Sequence, residues 1–197
     1  MSIGVIATVF VLILVAELPD KTMIATLVMG SRSRPLFVWL GASGAFLVHV
    51  TLAVIAGRLL ELLPHRILEG VITALFLGGA AYLLLVPEKA EEEKGEAEAQ
   101  AEVPGTAFKV IGTAFVVIFL GEFGDLTQLL TINLVARYHE PASVFIGAFA
   151  GLVAVAALGS FGGRALLRFL PVSVIRRVGG IILLGFAGYS IYSLVTS

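Results

Sequence analysis

Two short stretches carry the acids that could do chemistry in an otherwise apolar chain: AELPDKT at 16–22 and GEFGDLT at 121–127. Glu17, Asp20 and Thr22 of the first correspond to Glu122, Asp125 and Thr127 of the second. Three-residue spacing puts both acids of a pair on one face of a helix. Between them stand Pro19 and Gly124, one removing a backbone donor and the other permitting unusual dihedrals. A kink or unwound turn is therefore expected at each motif, with carbonyl oxygens released as ligands. Together with the threonine hydroxyls and the Gln128 amide oxygen, these groups make an oxygen-rich pocket suited to a hard divalent cation such as Ca²⁺ or Mn²⁺. Met23, the counterpart of Gln128, offers a softer thioether.

Four ionised acids around one divalent ion are over-charged, so some must be protonated or paired. Lys21 is expected to pair with Glu17, four residues back, or with Asp20; the second motif has Leu126 in its place. Exchange of protons for a metal is then a natural reaction of the site.

The elements that must position these residues lie in a lipid-compatible chain. Its 197 residues are 58% hydrophobic and 14% charged, with a mean hydropathy of +1.03. A bilayer core of roughly 30 Å needs about 20 apolar helical residues, and the segments near 3–30, 36–60, 67–86, 109–136, 142–167 and 174–195 qualify. An all-α membrane protein with six transmembrane helices is expected. The runs are too long and too continuously apolar for barrel strands. The first segment lacks a basic leader and a small-residue cleavage site, so it is read as a retained helix. With no cysteine, disulfides, thiolate metal sites and thiol nucleophiles are excluded. A carboxylate in mid-membrane costs roughly 2.5 to 3.5 kcal/mol on insertion scales, which makes all four acids functional candidates.

Beyond the acidic motifs, the halves of the chain repeat in order. PLFVWLGA matches PASVFIGA, AGRLL matches GGRAL, and LGGAAY matches LGFAGY, aligning Gly41 with Gly147, Arg58 with Arg164 and Tyr82 with Tyr189. Three spans per unit make the second enter the membrane from the opposite side, so two inverted three-helix repeats are expected, with the substrate site at their interface. The units are 1–86 and 108–197, joined by an acidic linker, 87–107. One set of loops holds Arg32, Arg34, Lys89, Lys94, Lys109, Arg164, Arg168, Arg176 and Arg177, and the other only Arg58, Arg66 and Arg137. The positive-inside rule puts the linker in the cytoplasm and both termini outside, in the cell's inner or plasma membrane.

The duplicated motifs resemble the Glu-x-Gly-Asp-(Lys/Arg)-(Ser/Thr) signature of the calcium/manganese:proton antiporter family, the Ca²⁺:cation antiporter-2 group of the LysE superfamily. The resemblance covers nearly the whole chain, departing at Pro19 and Leu126. It implies export of Mn²⁺ or Ca²⁺ from the cytosol, with Glu17, Asp20, Glu122 and Asp125 as ligands. The ions are cargo, and no cofactor is implied. The expected partners are a divalent cation, protons and the lipid bilayer, with no nucleic acid; assembly as a homo-oligomer stays open.

Other readings exist for the same residues. Salt bridging between helices would use the acids structurally, but their duplication argues against it. Another LysE-superfamily substrate, a different metal or an amino acid, is an alternative; four acids against one lysine suit a substrate carboxylate poorly. A passive channel or a scaffold would also carry these spans. Asp20 and Asp125, the only aspartates, would suit an intramembrane aspartyl protease, but its sequence contexts are absent and both glutamates would go unexplained. His49 is read as a packing histidine before a proton relay, because its counterpart is Val155. Gly41, Gly44, Gly147 and Gly151 read as helix-packing positions.

Overall fold

A computed structural model describes residues 1–18, 20–60, 62–85, 93, 97, 106–169 and 172–196. Pro19, nearly all of the 87–107 linker, and the side chains of Tyr82, Arg164, Arg168 and Arg176 lie outside that description. Among the described residues every regular element is an α-helix: α1 (Ile3–Glu17), α2 (Lys21–Arg32), α3 (Pro35–Leu60), α4 (His65–Leu85), α5 (Ala107–Gly121), α6 (Leu126–Tyr138), α7 (Pro141–Phe169) and α8 (Val172–Thr196).

Neither α1, at 15 residues, nor α2, at 12, is long enough to cross a bilayer alone. They form a pair bent by 72°, and α5 and α6 form another bent by 71°. Among the described residues α3 and the stretch Pro141–Gly162 of α7 are long and apolar enough to cross, or up to four spans if each bent pair counts as one. α4 and α8 occupy the places of the two remaining expected segments.

α3 is apolar all round, as a helix must be when one face meets protein and the other lipid. It buries Val38, Ala42, Ala45, Phe46, Val50 and Ala53 and exposes Leu36, Leu40, Leu47, Leu52, Ile55 and Leu59. Exposed apolar surface of this extent has no place in water.

The helices interleave across the halves. α1 and α2 pack on α7, α5 and α6 pack on α3, α3 meets α7, and α4 lies along α8. Exchanging the halves maps these pairings onto one another. Two glycines let the backbones approach: a Cβ at Gly147 would stand 2.6 Å from the Ile6 carbonyl oxygen, and one at Gly41 would run into the Ile111 carbonyl. Gly41 aligns with Gly147 in the repeat, so both halves use the same contact.

Outside the apolar region, Ser143 ties the start of α7 to that of α1. Its hydroxyl donates to Glu140 at 2.6 Å and accepts the Ser2 N–H at 3.0 Å. The Ser143 bond holds the Glu140 carboxyl below its usual range.

Gly147→Val should cost about 1–3 kcal/mol by overpacking α1 against α7. Gly112→Ala, on an open face of α5, should be neutral or slightly stabilising. Thermal unfolding of the detergent-solubilised protein reads both.

Candidate functional site

Both acidic motifs fall where a helix breaks. α1 ends at Glu17, Leu18 is extended, and α2 starts after Asp20; α5 ends at Gly121, and α6 starts after Asp125. Gly124 turns the second break at φ +80°, a left-handed conformation that costs a side-chain-bearing residue dearly. The breaks close alike: the Asp20 N–H donates to the Glu17 carbonyl at 2.8 Å, and the Asp125 N–H to the Glu122 carbonyl at 3.2 Å. The expected release of carbonyls as ligands therefore does not extend to those two.

Because the chain breaks between them, the acids of each pair do not share one helix face. Glu17 and Glu122 close the C-terminal ends of α1 and α5, whereas Asp20 and Asp125 precede the N-termini of α2 and α6. Neither aspartate caps its helix with its side chain.

Glu17, Asp20 and Glu122 are buried together, with one oxygen from each within 4.8 Å of the others. Oxygens on opposite sides of one Ca²⁺ stand about 5 Å apart, twice a metal–oxygen distance of 2.3–2.6 Å, so all three can reach a single ion. Both carboxylate oxygens of Glu17 are buried without a hydrogen bond, although the Thr22 and Thr127 hydroxyls are close by. Thr22 instead donates to Glu122 Oε1, crossing from the first motif to the second, and Glu122 Oε2 has no hydrogen-bond partner.

Asp125 is not part of that group of three. Lys21 Nζ lies 3.2 Å from its Oδ2 and 3.9 Å from Glu122 Oε1. The ammonium thus pairs with acids of the second motif, and its charge also acts on Glu17 and Asp20, the partners expected within its own. The four-residue rule assumes an unbroken helix, and Glu17 and Lys21 lie on opposite sides of the bend.

The remaining sequence candidates take supporting positions. Gln128 Oε1 accepts the Gly124 N–H at 2.8 Å and holds the second break in shape. Thr127 is buried beside Glu122, on the wall of a small cavity that also touches His49, Gln128 and Thr131. His49 stacks on Phe119 with ring centroids 4.8 Å apart, and its Nε2 is 3.0 Å from the Phe119 carbonyl oxygen. Met23 packs with Leu18 and Val155 in a separate apolar cluster. Asn133, buried in α6 and not singled out in the sequence, donates to the Ile72 carbonyl at 3.0 Å and fastens α6 to α4. Its signal was a lone amide in the apolar run TINLVA.

Residues 5–91 and 110–197 match the family described as divalent cation/proton antiporter GDT1. The chain belongs to this family. The GDT1 family is one of transporters and not of enzymes, which removes the protease alternative, and its ions are substrates and not cofactors. Among its relatives, Protein PAM71, chloroplastic, of Arabidopsis thaliana is 32% identical over 212 residues, covering 96% of this chain and 57% of that protein. The GDT1-like protein sll0615 of Synechocystis sp. is 27% identical over 188 residues, covering 89% of this chain and 91% of that protein. GDT1-like protein 1, chloroplastic, of Oryza sativa subsp. indica is 26% identical, covering 97% of this chain and 62% of that protein. The chain thus spans about three fifths of the length of these two chloroplastic relatives. No solved structure matches it.

A Cβ on Gly124 would meet nothing within 4 Å, so Gly124→Ala tests backbone strain alone. It should cost about 1–2 kcal/mol, read as a lower unfolding midpoint, and Gly124→Asn should cost less.

Proposed function

We propose that this chain carries a divalent cation, Mn²⁺ or Ca²⁺, out of the cytosol in exchange for protons, through a site on Glu17, Asp20 and Glu122. The observation that carries this reading is the burial of three carboxylates from both motifs within reach of one ion. Carboxylate oxygens suit hard cations, and no thiolate is available to select a soft one. Membership of a divalent cation/proton antiporter family supports the same substrate class. Thr22 and Thr127 orient the acids, Gln128 supports the second break, and Asp125 acts through Lys21.

The exchange has a physical logic. While the ion is bound its charge offsets the buried carboxylates. When it leaves, like charges this close must be neutralised, and protons arriving from the far side do so. Release of the metal and uptake of protons are then two halves of one cycle.

The reading places the site between two inverted repeats, 1–86 and 108–197, that make six spans, with each bent pair counted as one. Its support is the set of helix pairings that survives exchange of the halves, together with the matched glycines Gly41 and Gly147. Alternating access follows if the interleaved units rock about the broken helices. The basic loops put the 87–107 linker on the cytoplasmic face and both termini on the outer face.

In proteoliposomes a Mn²⁺ or Ca²⁺ gradient should drive a pH change of the opposite compartment. Glu17→Gln and Glu122→Gln should each lower metal flux at least about tenfold, the loss typical even of partners one step from a metal. Metal flux without any pH change would remove the proton coupling, and wild-type flux in both variants would remove the site.

A further inference from the structure

The motifs align almost residue for residue, yet their environments differ in one charge. Lys21 belongs to the first motif but lies against the acids of the second, and its counterpart Leu126 has none to offer. The ammonium is buried, 3.2 Å from Asp125 and 3.9 Å from Glu122. It stands where a cation held by Asp125 and Glu122 would stand. Across the site, both Glu17 oxygens are buried without a hydrogen bond.

We propose that the Lys21 ammonium is the built-in occupant of the Asp125 corner, so that the paired motifs hold one divalent cation, on Glu17, Asp20 and Glu122, instead of one in each. This rests on the reading of those three acids as the ion site. A second divalent ion on Asp125 and Glu122 would have to displace a covalently tethered charge of the same sign. Because Glu122 is shared between ammonium and ion, Lys21 also repels the bound cation at short range in a medium that screens poorly. Its charge limits how tightly the metal is held and favours release. Lys21 is thus a positioning residue that sets stoichiometry and affinity without touching the ion.

Mn²⁺ binding to the purified, detergent-solubilised full chain tests this, with free Mn²⁺ read from its electron paramagnetic resonance signal and folding checked by gel filtration. Wild type should bind one Mn²⁺. Glu17→Gln should lose binding, whereas Asp125→Asn should still bind one Mn²⁺, weakened by less than in Glu17→Gln, since it removes the partner of an ammonium and not a ligand. Lys21→Met should bind about tenfold more tightly or take up a second Mn²⁺, and the second site should vanish in Lys21→Met/Asp125→Asn. Should Lys21→Met fail to fold with its acids unpaired, Asp125→Asn and the double variant decide. The inference is overturned if Asp125→Asn loses as much binding as Glu17→Gln, if wild type binds two ions, or if folded Lys21→Met binds one ion with unchanged affinity. Unchanged binding in Glu17→Gln would instead overturn the site itself.

Discussion

Negative charge buried at broken helix ends is the constraint on which the rest of this structure depends. Glu17 and Glu122 each end a helix at its C-terminus, where the aligned peptide dipoles add roughly half an elementary negative charge. Each carboxylate therefore sits in a place that already disfavours anions. Asp20 and Asp125 stand at the opposite kind of terminus, where the dipole favours them. The breaks bring both kinds of end together around the clustered acids Glu17, Asp20 and Glu122. A cation is the natural complement of the clustered carboxylates.

The long helices make that arrangement possible. α3 and α7 pack on each other and receive the broken pair of the opposite half, with Gly41 and Gly147 allowing backbones to touch where any side chain would hold them apart. Only the interleaving puts Glu17 beside Glu122. Had each bent pair packed on its own half, every motif would bury its acids alone, without the threonine and lysine that cross between motifs.

The backbone repeats, but its chemistry does not. His49 and Gln128 border a small polar cavity beside Glu122, while their counterparts Val155 and Met23 close into an apolar cluster with Leu18. Lys21 faces acids and Leu126 does not. Hydrogen bonds in the two breaks match closely, as do the threonines Thr26 and Thr131, which donate to the carbonyls of Thr22 and Thr127. Paired architecture therefore carries two unlike side-chain surroundings.

By itself the sequence determined that helices would form and that both acidic motifs would fall at breaks. Hydropathy runs measure out helices, Gly124 supplies the positive φ of the second break, and a carboxylate in an apolar run carries a high insertion cost. These are local properties, decided by residues within a turn or two. Only the tertiary structure decided which acids meet. Spacing rules placed Lys21 on Glu17 or Asp20 and kept each pair of acids to its own motif, because they assume a continuous helix. Once the axis bends by about 70°, contacts a hundred residues away are added: Glu122 joins Glu17 and Asp20, and Lys21 pairs with Asp125. Asp125 lies outside the cluster of Glu17, Asp20 and Glu122 and pairs with Lys21 from the other half of the chain.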